Sequence, residues 1–159
     1  MASSDQEQIS ECWHVGIVVK DVEKVVDFYS RAFGWGPWKR FTSDFPNAVM
    51  RGKTTWYKGK RAYVQVGGVG LEVGEPGEGD SVQKEFLSTK GEGLHHLAFY
   101  VDDIEKEVAK LEKLGLKILQ AAKNEDGSYA YVYLDTEEVG NIIVELNRRD
   151  TLSSLNYDM

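Results

Sequence analysis

Two histidines and two glutamates carry the chemistry this sequence suggests. His14 lies in Trp13-His14-Val15-Gly16-Ile17-Val18-Val19-Lys20-Asp21, and His96 opens a second version of that stretch, His96-Leu97-Ala98-Phe99-Tyr100-Val101-Asp102-Asp103. Laid over each other, they put Gly16 on Ala98, Val19 on Val101, Asp21 on Asp103 and Glu23-Lys24 on Glu105-Lys106. Later in each copy a matching short strand carries a glutamate: Glu72 in Gly70-Leu71-Glu72-Val73 and Glu145 in Ile143-Val144-Glu145-Leu146. Imidazole nitrogens and carboxylate oxygens suit a divalent first-row cation, and two of each leave positions open for water or substrate. Taken singly, a strand histidine is more often packing and a strand glutamate is usually solvated. The four at repeat-equivalent places point to a metal. His95, by strand alternation, faces away from His96 and reads as structural.

The elements that must position these residues follow from periodicity. Trp13 to Val19 alternates as a strand, and Asp21 reads as the cap of a helix with Val22, Val25, Val26, Tyr29 and Phe33 at helical spacing, closed by Gly34. Trp38 to Thr42 is a candidate strand, and Phe45-Pro46-Asn47 reads as a turn. Ala62 to Val66 and Val69 to Val73 are strands around Gly67-Gly68. The second copy runs the same way: Asp102 or Asp103 caps a helix with Ile104, Val108 and Leu111 on one stripe, and strands follow at 116–120, 130–134 and 142–146. The chain therefore divides into two strand–helix–strand–strand–strand modules, 12–75 and 91–147. Between them, 76–90 is a connector with a short helix opened by Asp80-Ser81-Val82-Gln83, and 1–11 and 148–159 are tails. The class is α+β. One sheet face is aliphatic (Val15, Ile17, Leu97, Phe99, Val64, Val132). The other carries His14, His96, Glu72 and Glu145 with Tyr63, Gln65, Tyr131 and Tyr133, which is the composition of a cavity wall.

Composition narrows the partners. A net charge of −7 argues against a nucleic-acid binder, which needs a basic face. The single cysteine, Cys12, excludes an internal disulfide framework and fits a reducing compartment. Met1 to Glu7 lacks the basic start and apolar run of a signal peptide, and no apolar run is long enough to span a membrane, so a cytoplasmic protein with no membrane partner is expected.

Over about residues 12–147 the sequence resembles the vicinal oxygen chelate (glyoxalase/bleomycin resistance/dioxygenase) superfamily. Gly91-Glu92-Gly93-Leu94-His95-His96-Leu97-Ala98-Phe99-Tyr100-Val101-Asp102-Asp103-Ile104 is similar to the matching segment of methylmalonyl-CoA epimerases, and Gly70 to Val73, Asp80-Ser81 and Ile143 to Leu146 sit where that family would place them. The resemblance implies two βαβββ modules pairing into an open, curved sheet around a metal cavity. It implies one divalent ion per chain on His14, Glu72, His96 and Glu145, with cobalt, zinc, manganese, nickel and iron not distinguished. The implied activity is a metal-dependent isomerase or epimerase of an acyl-CoA or 2-oxo compound, working through a metal-stabilised enediolate with Glu145 or Glu72 taking the proton. A lactoylglutathione lyase is the nearest alternative. An extradiol-type dioxygenase would need Fe(II) with two histidines and one carboxylate, and a metal-free drug-binding resistance protein has no need of four ligands. Tyr63, Gln65, Tyr131, Tyr133, Trp56 and Phe45 are expected to line the substrate pocket. The basic run Arg51 to Arg61 reads as a solvated hairpin, with an anionic carrier such as CoA as its alternative ligand. A homodimer is expected from the resemblance and from Trp13, Trp35 and Trp38. Epimerases of this kind carry an acid/base glutamate after the second strand. Here no glutamate lies between Glu23 and Glu72, and Asp44 is the acid left to substitute.

Overall fold

A computed structural model describes residues 7–149; the outer parts of both expected tails, 1–6 and 150–159, lie outside the described residues. The element order is β1 (Cys12–Val18), α1 (Val22–Phe33), β2 (Lys39–Met50), β3 (Lys53–Val66), β4 (Val69–Gly79), α2 (Val82–Thr89), β5 (Gly93–Val101), α3 (Ile104–Lys113), β6 (Ile118–Lys123), β7 (Tyr129–Leu134) and β8 (Ile143–Arg148). Helix starts are set by local chemistry. Asp21, Ser81 and Asp103 are extended, and each side chain accepts a hydrogen bond from the backbone N–H three residues on, satisfying a donor the helix cannot use. Gly34 ends α1 in the left-handed region, at φ 68°.

The eight strands close on themselves in the order β1-β4-β3-β2-β6-β7-β8-β5. The expected open, curved sheet is thereby corrected to a closed barrel, within an α+β fold. Two seams between the sequence halves make the closure. β1 runs antiparallel to β5, and β2 meets β6 through Ala48↔Ala122, Val49↔Ala121 and Met50↔Gln120. The second seam depends on β2 being longer than its sequence suggests. Phe45-Pro46-Asn47, expected as a turn, is a bulge: pairing with β3 jumps from Phe45↔Tyr57 to Ala48↔Thr55 and then continues to Met50. A bulge tolerates the missing N–H of Pro46 and bends the strand toward β6. The chain reverses instead at Arg51-Gly52, where φ is 47° and 77°. Closure also removes the exposed edges that an open sheet would have to protect.

Outside the barrel, Val22 and Val26 of α1 pack on Val19, Ala62 and Val73, while Ile104 and Val108 of α3 pack on Val101, Ala121, Val132 and Leu146. Each such buried aliphatic contributes roughly 1.5–3 kcal/mol. Inside, Tyr57, Tyr131, Tyr133 and Leu119 gather with Val82 of α2. The N-terminus of α2 is tied in by Gln120, whose Oε1 accepts from Val82 N–H at 2.8 Å and whose Nε2 donates to the Tyr131 hydroxyl at 2.8 Å.

Candidate metal centre

Strand register brings the four repeat residues together as two rows. In one, His14 of β1 stands opposite Ala98 of β5, which stands opposite Glu145 of β8. In the other, Glu72 of β4 stands opposite Gly16 of β1, which stands opposite His96 of β5. Each row is an imidazole and a carboxylate flanking a residue too small to fill the gap. The gap is needed: a Cβ on Gly16 would lie 1.9 Å from His96 Cε1.

The imidazoles meet at 3.0 Å between their Nε2 atoms, and Glu145 Oε2 lies 3.0 Å from His96 Nε2 and 3.5 Å from His14 Nε2. Bonds of about 2.0–2.2 Å from a cation to such atoms separate neighbouring donors by about 3.0–3.5 Å, so these three residues fit a divalent ion. Their donor atoms all lie within 4.8 Å of one another, and all three residues are buried. Glu145 Oε2 is buried and accepts no hydrogen bond, a costly state for an acceptor with no further partner. Glu72 stands farther out, 3.9 Å from His14 Nε2 and 4.0 Å from His96 Nε2, with Arg61 Nε 3.5 Å from its Oε1. It remains within reach of the same point.

The electrostatics match a pair of imidazoles facing carboxylates. Burial favours the neutral ring of His14, but Glu72 and Glu145 outweigh burial and raise its pKa above the ordinary value. Burial likewise pushes the Glu145 carboxyl up, and the His96 and His14 rings more than offset this, leaving it below the carboxylate range.

His95 departs from its expected place. Pairing of β5 with β1 skips from Gly16↔His96 to Ile17↔Leu94, so His95 is the extra residue of a bulge. Bulges re-aim side chains, and here both histidines turn to the same side, with Nδ1 atoms 2.9 Å apart. Burial and the neighbouring His96 lower the His95 pKa to about 2, so it is neutral and can accept from His96 Nδ1–H. His95 thereby takes the outer place that a carboxylate, carbonyl or water usually fills beside a metal-ligating imidazole.

Beside Glu72 and Glu145, which line it, opens a cavity of about 530 Å³. Of the expected pocket residues, Phe45, Tyr131 and Tyr133 line it. Tyr63 packs with Trp13 and Ala98 instead and donates to Gln65 Oε1 at 2.7 Å. Gln65 itself is exposed, and Trp56 points outward, 47% exposed. Tyr57, Asn147 and Arg61, the last from a run expected at the surface, also line the cavity. Strand alternation was the available signal, since Tyr57, Arg61 and Tyr63 share one phase. The rest of that run is spread over surface ion pairs: Arg51 with Glu85, Lys58 with Asp44, Lys60 with Glu75. Asp44 is exposed and held by Lys58, outside the cavity.

A mostly β barrel with histidines and glutamates converging from four strands defines a class of metal-site proteins, and comparison with known proteins makes it specific. Residues 13–133 match the model of the Glyoxalase/Bleomycin resistance protein/Dioxygenase superfamily, and the chain belongs to that superfamily. Among its relatives is the uncharacterized protein YqjC of Bacillus subtilis, 25% identical over 134 residues, 84% of this chain and 88% of that one. Mitochondrial methylmalonyl-CoA epimerase of Mus musculus is 27% identical over 137 residues, 85% of this chain and 71% of that one. Among solved structures, a Streptomyces coelicolor methylmalonyl-CoA epimerase in complex with 2-nitronate-propionyl-CoA superposes with a TM-score of 0.66 at 23% identity, covering 89% of this chain and 99% of that one.

Proposed function

We propose that this protein is a metal-dependent isomerase or epimerase of a small acyl thioester, with a CoA thioester as the first substrate to try. The observation that carries the reading is the convergence of His14, His96 and Glu145, the last of which lines a cavity together with Glu72. Similarity to methylmalonyl-CoA epimerases supports the substrate class. A divalent ion held by those three residues, with Glu72 in reach, would supply electrophilic stabilisation of the negative charge that develops on a carbonyl oxygen. The chain's own groups do the rest. Glu145, buried and with Oε2 accepting no hydrogen bond, is the base placed to take a proton from the carbon beside that carbonyl. His95 holds the ring of His96. Tyr131 and Tyr133 keep their protons, because burial raises both hydroxyls, and so present donors rather than charges to the cavity.

Glu72 and Glu145 are the carboxylates beside the centre, and Asp44 is turned away, which favours proton removal and return through one base. Metal analysis of the purified protein, followed by incubation with methylmalonyl-CoA in deuterated water, tests the reading. Deuterium enters the α position of the thioester when the ion is present and does not after chelation. Failure of the metal-loaded protein to exchange that proton with any of a panel of branched acyl-CoA esters would overturn it. Assembly as a homodimer belongs to the same reading and is supported by the exposed Phe28 and Phe33 beside Tyr29 and Trp35. Trp13 gives it no support, being buried within the chain. Sedimentation as a monomer at micromolar concentration would count against the dimer. No described helix is long and apolar enough to cross a membrane.

A further inference from the structure

Arg61 is the one buried cation of the barrel interior, among the described residues, to which the metal-centred reading gives no task. It is 6% exposed and lines the cavity, while Lys58 and Lys60 on the same strand point outward to Asp44 and Glu75. Its contacts are long. Nε lies 3.5 Å from Glu72 Oε1, and Nη1 donates to the Lys60 carbonyl at 3.4 Å. A guanidinium has five N–H donors in a planar fork, so two weak contacts leave it with capacity to bind.

The place it occupies is shaped for it. Gly74 is its register partner on β4, and a Cβ there would come within 2.7 Å of Nη1 and 3.2 Å of Cζ. A Cβ on Gly59 would stand 3.5 Å from Nη1. The flat group therefore lies over bare backbone on the cavity wall.

Charge balance gives the reason. Glu72 and Glu145 together match a divalent cation at the histidine–glutamate centre, and Asp126 belongs to the exposed hairpin at the rim of the cavity. Arg61 shares Glu72 with that ion, so the cation, Glu72, Glu145 and Arg61 together carry a net positive charge. A buried charge persists only where something pairs with it.

We propose that Arg61 is a substrate-recognition residue, taking a planar carboxylate carried by the substrate in the cavity beside the centre. The substrates it selects are acids or acyl thioesters that bear a free carboxylate in addition to the group facing the ion. The inference rests on the metal reading for its charge balance, but the position of the guanidinium does not.

Binding of malonate, as a carboxylate probe, and of imidazole, as a probe of the ion alone, is measured calorimetrically on the metal-loaded protein. Arg61→Gln is expected to weaken malonate about 10- to 100-fold, the cost of a lost charge-assisted pair, at equal metal content and unchanged imidazole affinity. If that variant does not fold, Gly74→Ala carries the test. It keeps the arginine but drives Nη1 aside, and malonate alone should weaken. If the wild type holds no ion, the metal reading fails and malonate is titrated on the metal-free chain, where dependence on Arg61 would still uphold this assignment. Equal malonate affinity in wild type and variant, or no malonate binding by the wild type, overturns it.

Discussion

Glu145 is placed to do two jobs at once, ligand and base, and a substitution can separate them. Glu145→Gln keeps an oxygen that binds a cation weakly but has almost no basicity. Proton exchange into the substrate should fall about 10²–10⁴-fold, further than metal content does, as read by mass spectrometry and elemental analysis on the same samples. The histidines make a prediction about pH. The His14 pKa is raised in the fold, so in metal-free protein the stabilisation from its charged form is full below about pH 6.5 and fades as pH rises through the raised value. The Glu145 pKa is lowered, so its contribution is present above the ordinary carboxylate range and is lost as pH falls toward the lowered value. Chelator-treated protein should therefore lose melting temperature as pH rises above about 6.5 and through the raised His14 pKa, while cation affinity rises over the same interval as His14 sheds its proton. His95→Ala should cost about 10–100-fold in metal affinity by freeing the His96 ring, and titration with a chromophoric chelator would show it. At this scale the repeat made His14, His96, Glu72 and Glu145 legible, since two copies of one pattern say more than either alone. His95 was misread because alternation assumes an unbroken strand, and one extra residue reverses it. Arg61 was hidden among charged neighbours whose side chains leave the barrel.

Register, a property of strands, is what puts Gly16 beneath His96 and Ala98 beneath His14. Gly16→Ala adds one methyl group where the ring must sit, 1.9 Å from Cε1. The variant should fold, with an unchanged far-ultraviolet circular dichroism spectrum, and lose metal. A folded variant with full metal content would remove this account of the glycine. The helices were readable because their signals are local: an aspartate cap, valines at a spacing of three and four, a closing glycine. β2 was not. Pro46 breaks the propensity of a strand that tertiary pairing nevertheless carries through to Met50, and nothing near it in the chain announces β6 as the partner.

Closure of the barrel is a property of the whole molecule and was invisible in sequence for that reason. An open and a closed sheet share the same strands and differ in whether β2 pairs with β6, where small residues let the strands meet. Ala48, Ala121 and Ala122 are at most 1% exposed there, so Ala122→Leu should destabilise by about 1–3 kcal/mol in a urea titration, through overpacking rather than loss of contacts. The two-row register has one further consequence, for how the molecule comes into being. Among the described strands His14 lies in the first and Glu145 in the last, so a chain emerging from the ribosome has both imidazoles long before it has the carboxylate beside them. No truncated product ending before β8 could hold the ion with its full ligand set. Acquisition of metal would then wait for synthesis of β8, and a bound cation would certify that the barrel has closed.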